Sequence, residues 1–171
     1  LSTRYEAPAV KAFNFVEKSG MLYYITAGDK AKEKPGLYLL NTETGVKTLI
    51  KEGDGVFKQV TFDEDGANLA FLYCAQKDSC YKGMSLWLSQ QGAPAAEIAA
   101  RGNQAFPKGW VISEHGKLQF SKSASRLFFG TSPEPRQKDT LQLAENRPNV
   151  QVWSWDEPVQ YTVQNYNKEK E

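Results

Sequence analysis

Three segments of the chain align with one another without a gap, and this internal repeat restricts its possible folds more than any other feature. They are FVEKSGMLYYIT (residues 15–26), FDEDGANLAFLY (62–73) and FSKSASRLFFGT (120–131). Each opens on a Phe, crosses polar or glycine-bearing residues, and resumes in an apolar run centred on Leu22, Leu69 or Leu127. Two apolar runs joined by a tight turn predict a β-hairpin, and Asp65-Gly66 is a strong signal for one. Asp63, Glu64 and Asp65 read as a solvated turn. A calcium loop would need further oxygen ligands at set spacing and a later bidentate acid.

A second element follows each hairpin. Gly36 to Leu40, Met84 to Leu88 and Val150 to Ser154 each place an aromatic residue in a β-forming run. A turn and another short apolar run come next, at Val46 to Ile50, Ala95 to Ala99 and Val159 to Val163. Ala95 to Ala100 has helix-forming composition, but it is too short for a stable lone helix. Its place in the repeat makes it the outer strand of the second unit. Four short strands per repeat, at a period near 47 residues, predict an all-β chain of β-propeller blades. The expected architecture is a partial propeller of three four-stranded antiparallel blades at residues 11–53, 56–102 and 110–165. Aromatic residues make up 12% of the 171 positions, a usage that favours strands over helix bundles.

Composition narrows the function. There are 21 basic and 20 acidic residues for a formal net charge of +1, so no basic excess suggests a nucleic-acid partner. Nor do basic residues interleave with aromatics as a single-strand groove requires. No stretch approaches the roughly 20 apolar residues of a membrane span, and no signal-peptide pattern opens the chain. The start at Leu1 reads as a processed or excised form. The one histidine, His115, rules out multi-histidine metal sites and is expected to be exposed in the polar turn Glu114-His115-Gly116.

No Gly-x-Ser-x-Gly elbow occurs. Gly130-Thr131-Ser132-Pro133 lacks the second glycine, and Pro133 removes an amide that an oxyanion hole wants. Neither a phosphate-cradling loop nor a dinucleotide fingerprint is present. The residues therefore predict no catalytic apparatus, no cofactor and no metal. Cys74 and Cys80 flank AQKDS, and with one distant histidine they cannot complete a zinc set. Either they close a local disulfide, as suits an oxidising compartment, or Cys74 is a small buried hydrophobe in reduced form. The disulfide is the favoured reading.

The third repeat carries the longest insertion, SPEPRQKDTLQLAENRP (132–148). Structureless loops of that length are usually functional or mobile, although a plain solvated excursion is the simpler reading. Arg136, Lys138, Asp139, Glu145 and Arg147 are its candidate contacts with a partner or peptide substrate. Trp110, in NQAFPKGWVISEH (103–115), reads first as inter-blade packing and second as a contact residue.

TFDEDGANLAFLY is similar to the F-S-x-D-G-x-x-L-A-F hairpin of TolB-like proteins and of the prolyl oligopeptidase family. GWVISEHGKLQFSKSASRLFFGTSPEP, a charged loop and then VQVWSWDEPVQ resemble a more specific set. That set is the propeller of secreted prolyl-oligopeptidase-like and dipeptidyl-aminopeptidase-like serine peptidases of Bacteroides-type bacteria. Its pattern is a Phe-Phe-Gly-Thr strand, a charged excursion and a V-D-V-W-x-W-x-D strand. This chain departs from it with Gln151 in place of Asp and with Asp156-Glu157-Pro158 after the second Trp.

The resemblance implies a non-catalytic propeller segment that gates or docks peptide substrates for an α/β-hydrolase domain outside this chain. The Ser, Asp and His of that domain match no position here. It also implies a periplasmic or secreted location. A TolB-like protein-interaction scaffold is the alternative. A carbohydrate-binding module using Trp110, Trp153 or Trp155 is a third reading, set against the rule that alternating strand aromatics usually belong to a core. Three blades leave two outer faces uncovered, so the chain alone is expected either to self-associate through its open blade faces or to be only marginally stable.

Overall fold

A computed structural model of the chain describes residues 5–16, 19–29, 33–76, 80, 83–135, 156 and 158–168. The chain divides into two compact units, Leu1–Pro135 and Arg136–Glu171. In the first unit, β1 (Val10–Phe15), β2 (Met21–Thr26), β3 (Gly36–Asn41) and β4 (Lys47–Glu52) form an antiparallel sheet in chain order. A second such sheet follows from β5 (Val56–Phe62), β6 (Asn68–Cys74), β7 (Ser85–Gln90) and β8 (Ala96–Ala99). The Ala-rich segment is thus a strand despite its helix-forming composition, because pairing with β7 supplies the hydrogen bonds a short helix would lack.

The third repeat is a two-stranded ribbon in its described part. β10 (Gln119–Phe120) pairs with β11 (Leu127–Phe128), and β9 (Trp110–Ile112) pairs with β12 (Thr131–Pro133). Between the two pairs, the backbones at Gly116 and Gly130 approach so closely that a Cβ on Gly116 would lie 2.3 Å from the Gly130 Cα. The expected inner strand at Val150 to Ser154 lies outside the described residues.

The repeat extends to individual hydrogen bonds. The amide of Val16 donates to the Met21 carbonyl, Asp63 to Asn68, and Ser121 to Arg126, at 2.9, 3.1 and 2.8 Å. Three residues into each turn, Ser19, Gly66 and Ala124 donate back to the carbonyls of Val16, Asp63 and Ser121. Two turns add a side-chain cap. Asp63 Oδ1 accepts from the Asn68 amide and Ser121 Oγ from the Arg126 amide. The solvated-turn reading therefore needs correcting at Asp63, which is only 7% exposed and also accepts from Asn68 Nδ2. Buried carboxylates persist where hydrogen-bond donors replace water, as they do here. Glu64 and Asp65 are exposed.

β3 and β6 are almost continuously apolar because both of their faces are covered. Leu37, Leu39 and Ile50 of the first sheet pack with Leu69, Phe71 and Tyr73 of the second, joined by Tyr23, Phe57, Phe62 and Trp87. The opposite face of the second sheet, with Ala70, Leu72 and Leu86, packs against Ile112, Leu118 and Phe120 of the third repeat. Lys51 of β4 crosses the first interface and holds its ammonium 4.7 Å from the Tyr73 ring and 4.4 Å from the Trp87 ring.

Gln59 locks the second interface. It lies in the β5 irregularity between Lys58 and Thr61, at a left-handed φ of 50°. Its Nε2 donates to the carbonyls of Glu114 and Gly116, and its Oε1 accepts from the Leu118 amide. Beside it, Lys58 pairs with Glu114, just as Lys11, its counterpart in the first repeat, pairs with Asp54.

The described part of the second unit is α1 (Tyr161–Lys168) and the residues just before it. This corrects the strand expected at Val159 to Val163. Val159, Val163 and Tyr166 follow a spacing of four and then three, the period of a helix. The Val163 and Gln164 amides both donate to the Gln160 carbonyl and start that helix. The chain remains mainly β and antiparallel, with one short helix among the described residues. No described helix is long and apolar enough to cross a membrane.

Two substitutions test this account. Ala124 has a φ of 55° where the second repeat has Gly66 at 70°. Removing a left-handed Cβ penalty of about 1–2 kcal/mol outweighs the added freedom of the unfolded glycine. Ala124→Gly should raise unfolding stability by about 0.5–1 kcal/mol in urea titration, and a loss would contradict the turn equivalence. Gln59→Ala should lower stability by about 2–3 kcal/mol, since it strands an amide and two carbonyls. A change within error would mean that the second interface does not depend on that side chain.

Candidate binding groove

The turn connecting β5 and β6 stands between two open cavities at one end of the paired sheets. The first, about 400 Å³, lies between the ends of β1 and β5 and is lined by Asn14, Phe15, Tyr23, Val60, Phe62, Asp63 and Glu64. Its floor is aromatic, with the Tyr23 and Phe62 rings 5.9 Å apart. Burial raises the Tyr23 phenol above its ordinary range, against an opposing hydrogen bond with Asn14. The phenol is therefore neutral at physiological pH and can both donate and accept.

The second cavity, about 550 Å³, lies on the other side of the same turn. Met21, Leu39 and Val46 give it an apolar wall, and Asn41, Thr48, Asp65 and Gln91 give it polar groups. Gln91 and Gly92 both have left-handed φ angles, 51° and 72°, and the Ala93 amide donates to the Gln90 carbonyl. That is the type I′ turn that matches hairpin twist, and it sets Gln91 at the cavity edge. Together the two cavities offer apolar walls, amide and carboxylate groups, and exposed turn backbone. Among the described residues, no three His, Cys, Asp or Glu side chains converge as metal ligands would.

The opposite face of the first sheet carries a separate polar cluster. Tyr24 stacks on Tyr38 at 5.2 Å, and its hydroxyl donates to Glu33 Oε1. Lys47 Nζ donates to the same oxygen at 2.6 Å. Burial, together with the Glu33 charge and the hydrogen bond to it, pushes the Tyr24 phenol far above its usual value.

The residues singled out from sequence are distributed unevenly. Cys74 and Cys80 are disulfide-bonded, with Cα atoms 5.6 Å apart, at the end of β6 and away from both cavities. Trp110 is on β9 and 37% exposed. It is held by its amide on Pro107 and by the pairing with Pro133. The His115 side chain is 84% exposed, as a polar turn requires. Arg136, Lys138, Asp139, Glu145 and Arg147 lie outside the described residues, as do Trp153 and Trp155. Asn14, Tyr23 and Gln91 are not singled out by the sequence because they reach the cavities only where two sheets meet. The register of Tyr23 one residue from Leu22 was the available signal that its ring faces the second sheet.

No family model matches this chain, and no curated protein matches it.

The Tyr24 cluster sets a pH dependence. A phenol that keeps its proton to higher pH in the native state than in the unfolded chain makes stability fall as pH rises above about 10. Below that pH its contribution is fully present. Tyr24→Phe retains the ring stack and should flatten the decline of the urea midpoint between about pH 9 and 11. Identical slopes in the two proteins would remove Tyr24 as the cause.

Proposed function

We propose that this chain is a non-catalytic propeller segment of a prolyl-oligopeptidase-like serine peptidase, docking or gating peptide substrates for an α/β-hydrolase domain outside it. The observation that carries this reading is the pair of successive four-stranded antiparallel sheets, packed face to face in chain order, with a groove at their common turn end. Propeller blades are stacked in this way. An open groove bounded by turn backbone, amides and apolar walls suits an extended peptide, whose main chain supplies donors and acceptors along its length.

The disulfide between Cys74 and Cys80 supports assignment to the periplasm or the secreted fraction, where thiols oxidise. The α/β-hydrolase domain would supply the nucleophile, and this chain would supply access and substrate docking.

The coding sequence beyond Glu171 tests the reading directly. A Gly-x-Ser-x-Gly elbow followed by Asp and His is expected there, while the 171-residue chain itself should cleave no peptide and take no fluorophosphonate label. A stop codon shortly after Glu171 would overturn the peptidase reading in favour of a TolB-like scaffold. Stoichiometric labelling of a serine in the isolated chain would overturn the non-catalytic assignment.

A further inference from the structure

The disulfide between Cys74 and Cys80 sits where the second sheet meets the third repeat. Cys74 ends β6, and both cysteines pack in the apolar cluster that holds Met84, Leu86, Ile112 and Leu118. Beyond Cys80 the chain turns toward β9, with the Gly83 amide donating to the Cys80 carbonyl. Gly83 backs onto that strand so closely that a Cβ on it would lie 2.7 Å from the Val111 Cβ. Met84 follows and bridges to Ile112, its amide donating to the Ile112 carbonyl. The covalent bond thus anchors Cys80, and through its turn Gly83 and Met84, to the end of β6.

Two observations mark this bond as one that opens. The first is access. Cys74 is only 9% exposed, whereas Cys80 is half-buried, and Ala75 and Gln76 beside Cys74 are exposed. An attacking thiolate therefore meets Cys80 Sγ first and leaves Cys74 as the departing sulfur. The second is what awaits the products. The Gln76 carbonyl oxygen lies 3.2 Å from Cys74 Sγ and 3.4 Å from Cys80 Sγ. A disulfide has no proton to give that oxygen. A thiol does, so the reduced pair finds an acceptor already in place. In thiol form Cys74 is also a small apolar side chain suited to its cluster.

We propose that Cys74–Cys80 is a reversible thiol-exchange site, opened by a dithiol, whose state controls the docking of β9 on the second sheet. One thiolate of the dithiol attacks Cys80 Sγ, the S–S bond breaks, and Cys74 leaves with the electron pair and takes a proton. The second thiolate of the reagent then attacks the reagent's own bound sulfur and releases Cys80, which takes the other proton. The dithiol ends as a disulfide and the protein holds two thiols. Opening loosens the hold of Gly83 and Met84 on β9, and with it the β9–β12 pair. The β10–β11 end stays docked, because Gln59 binds the backbone at Glu114, Gly116 and Leu118 without help from either cysteine. None of this depends on a hydrolase domain.

Dithiothreitol added to the folded chain tests the site, with alkylation mass spectrometry and amide hydrogen exchange read on the same sample. Two alkylatable thiols should appear without denaturant and disappear again on reoxidation. Exchange at residues 110–112 and 131–132 should then quicken roughly tenfold or more, the scale of releasing a short closed loop. Residues 22–25 and 116–118 should keep their rates. Cys80→Ser should exchange like the reduced protein, with or without dithiothreitol. A disulfide that resists dithiothreitol until the chain unfolds would overturn the proposal. So would two thiols with unchanged exchange at 110–112, or an acceleration that reaches residues 22–25, which is global unfolding. If Cys80→Ser does not fold, reduced and alkylated wild type takes its place in the comparison.

Discussion

Burial of β3 and β6 on both faces is the constraint from which the rest of the first unit follows. A strand covered on both sides must be apolar along its length, and GLYLLN and NLAFLYC are nearly so. Covering Leu37, Leu39, Leu69 and Phe71 removes large apolar surfaces from water, each worth roughly 1.5–3 kcal/mol. With those faces committed to each other, the less buried edge strands lie at the periphery. The turns between strands then form the rims of the cavities. The groove is a by-product of stacking: two sheets that twist against each other cannot fill the space beside their turns.

The parts legible in the sequence are those that depend on local period. The hairpins were readable because a Phe, a polar turn and a Leu-centred run recur three times, and β1–β2, β5–β6 and β10–β11 form at those places. β8 was readable only through its place in the repeat, since Ala96 to Ala99 has the wrong composition for a strand. The same analogy fails at Val159 to Val163, where the spacing of apolar residues is helical. Asp63 looks solvated in the sequence because its burial depends on Asn68, five residues away, turning its amide and side chain back toward it. Neither cavity is legible in the sequence, since each is assembled from separate segments, between residues 14 and 64 for the first and between 21 and 92 for the second.

Charge contributes little to holding the sheets together. The Lys11–Asp54 and Lys34–Glu52 pairs are at 2.7 and 2.9 Å, but all four side chains are around half exposed or more, and such pairs add at most about 1 kcal/mol. Lys51 differs because its ammonium lies over two rings of the neighbouring sheet. Desolvation by those rings strengthens the attraction. The near balance of positive and negative residues therefore leaves the choice of neighbour to shape and to directed hydrogen bonds.

Repeats that resemble one another carry a hazard during folding, because each can dock on the wrong sibling. Phe62 and Phe120 are the same residue at the same aligned position, so the third repeat could seat its Phe120 on the first sheet as well as on the second. What distinguishes the two destinations is Gln59. Its counterpart three residues before Phe15 is Ala12, which has no amide with which to bind the backbone at 114–118. The glutamine thus acts as an address label for the incoming ribbon. A chain with glutamine at both positions would lose that discrimination and populate misassembled forms in which the middle sheet is skipped.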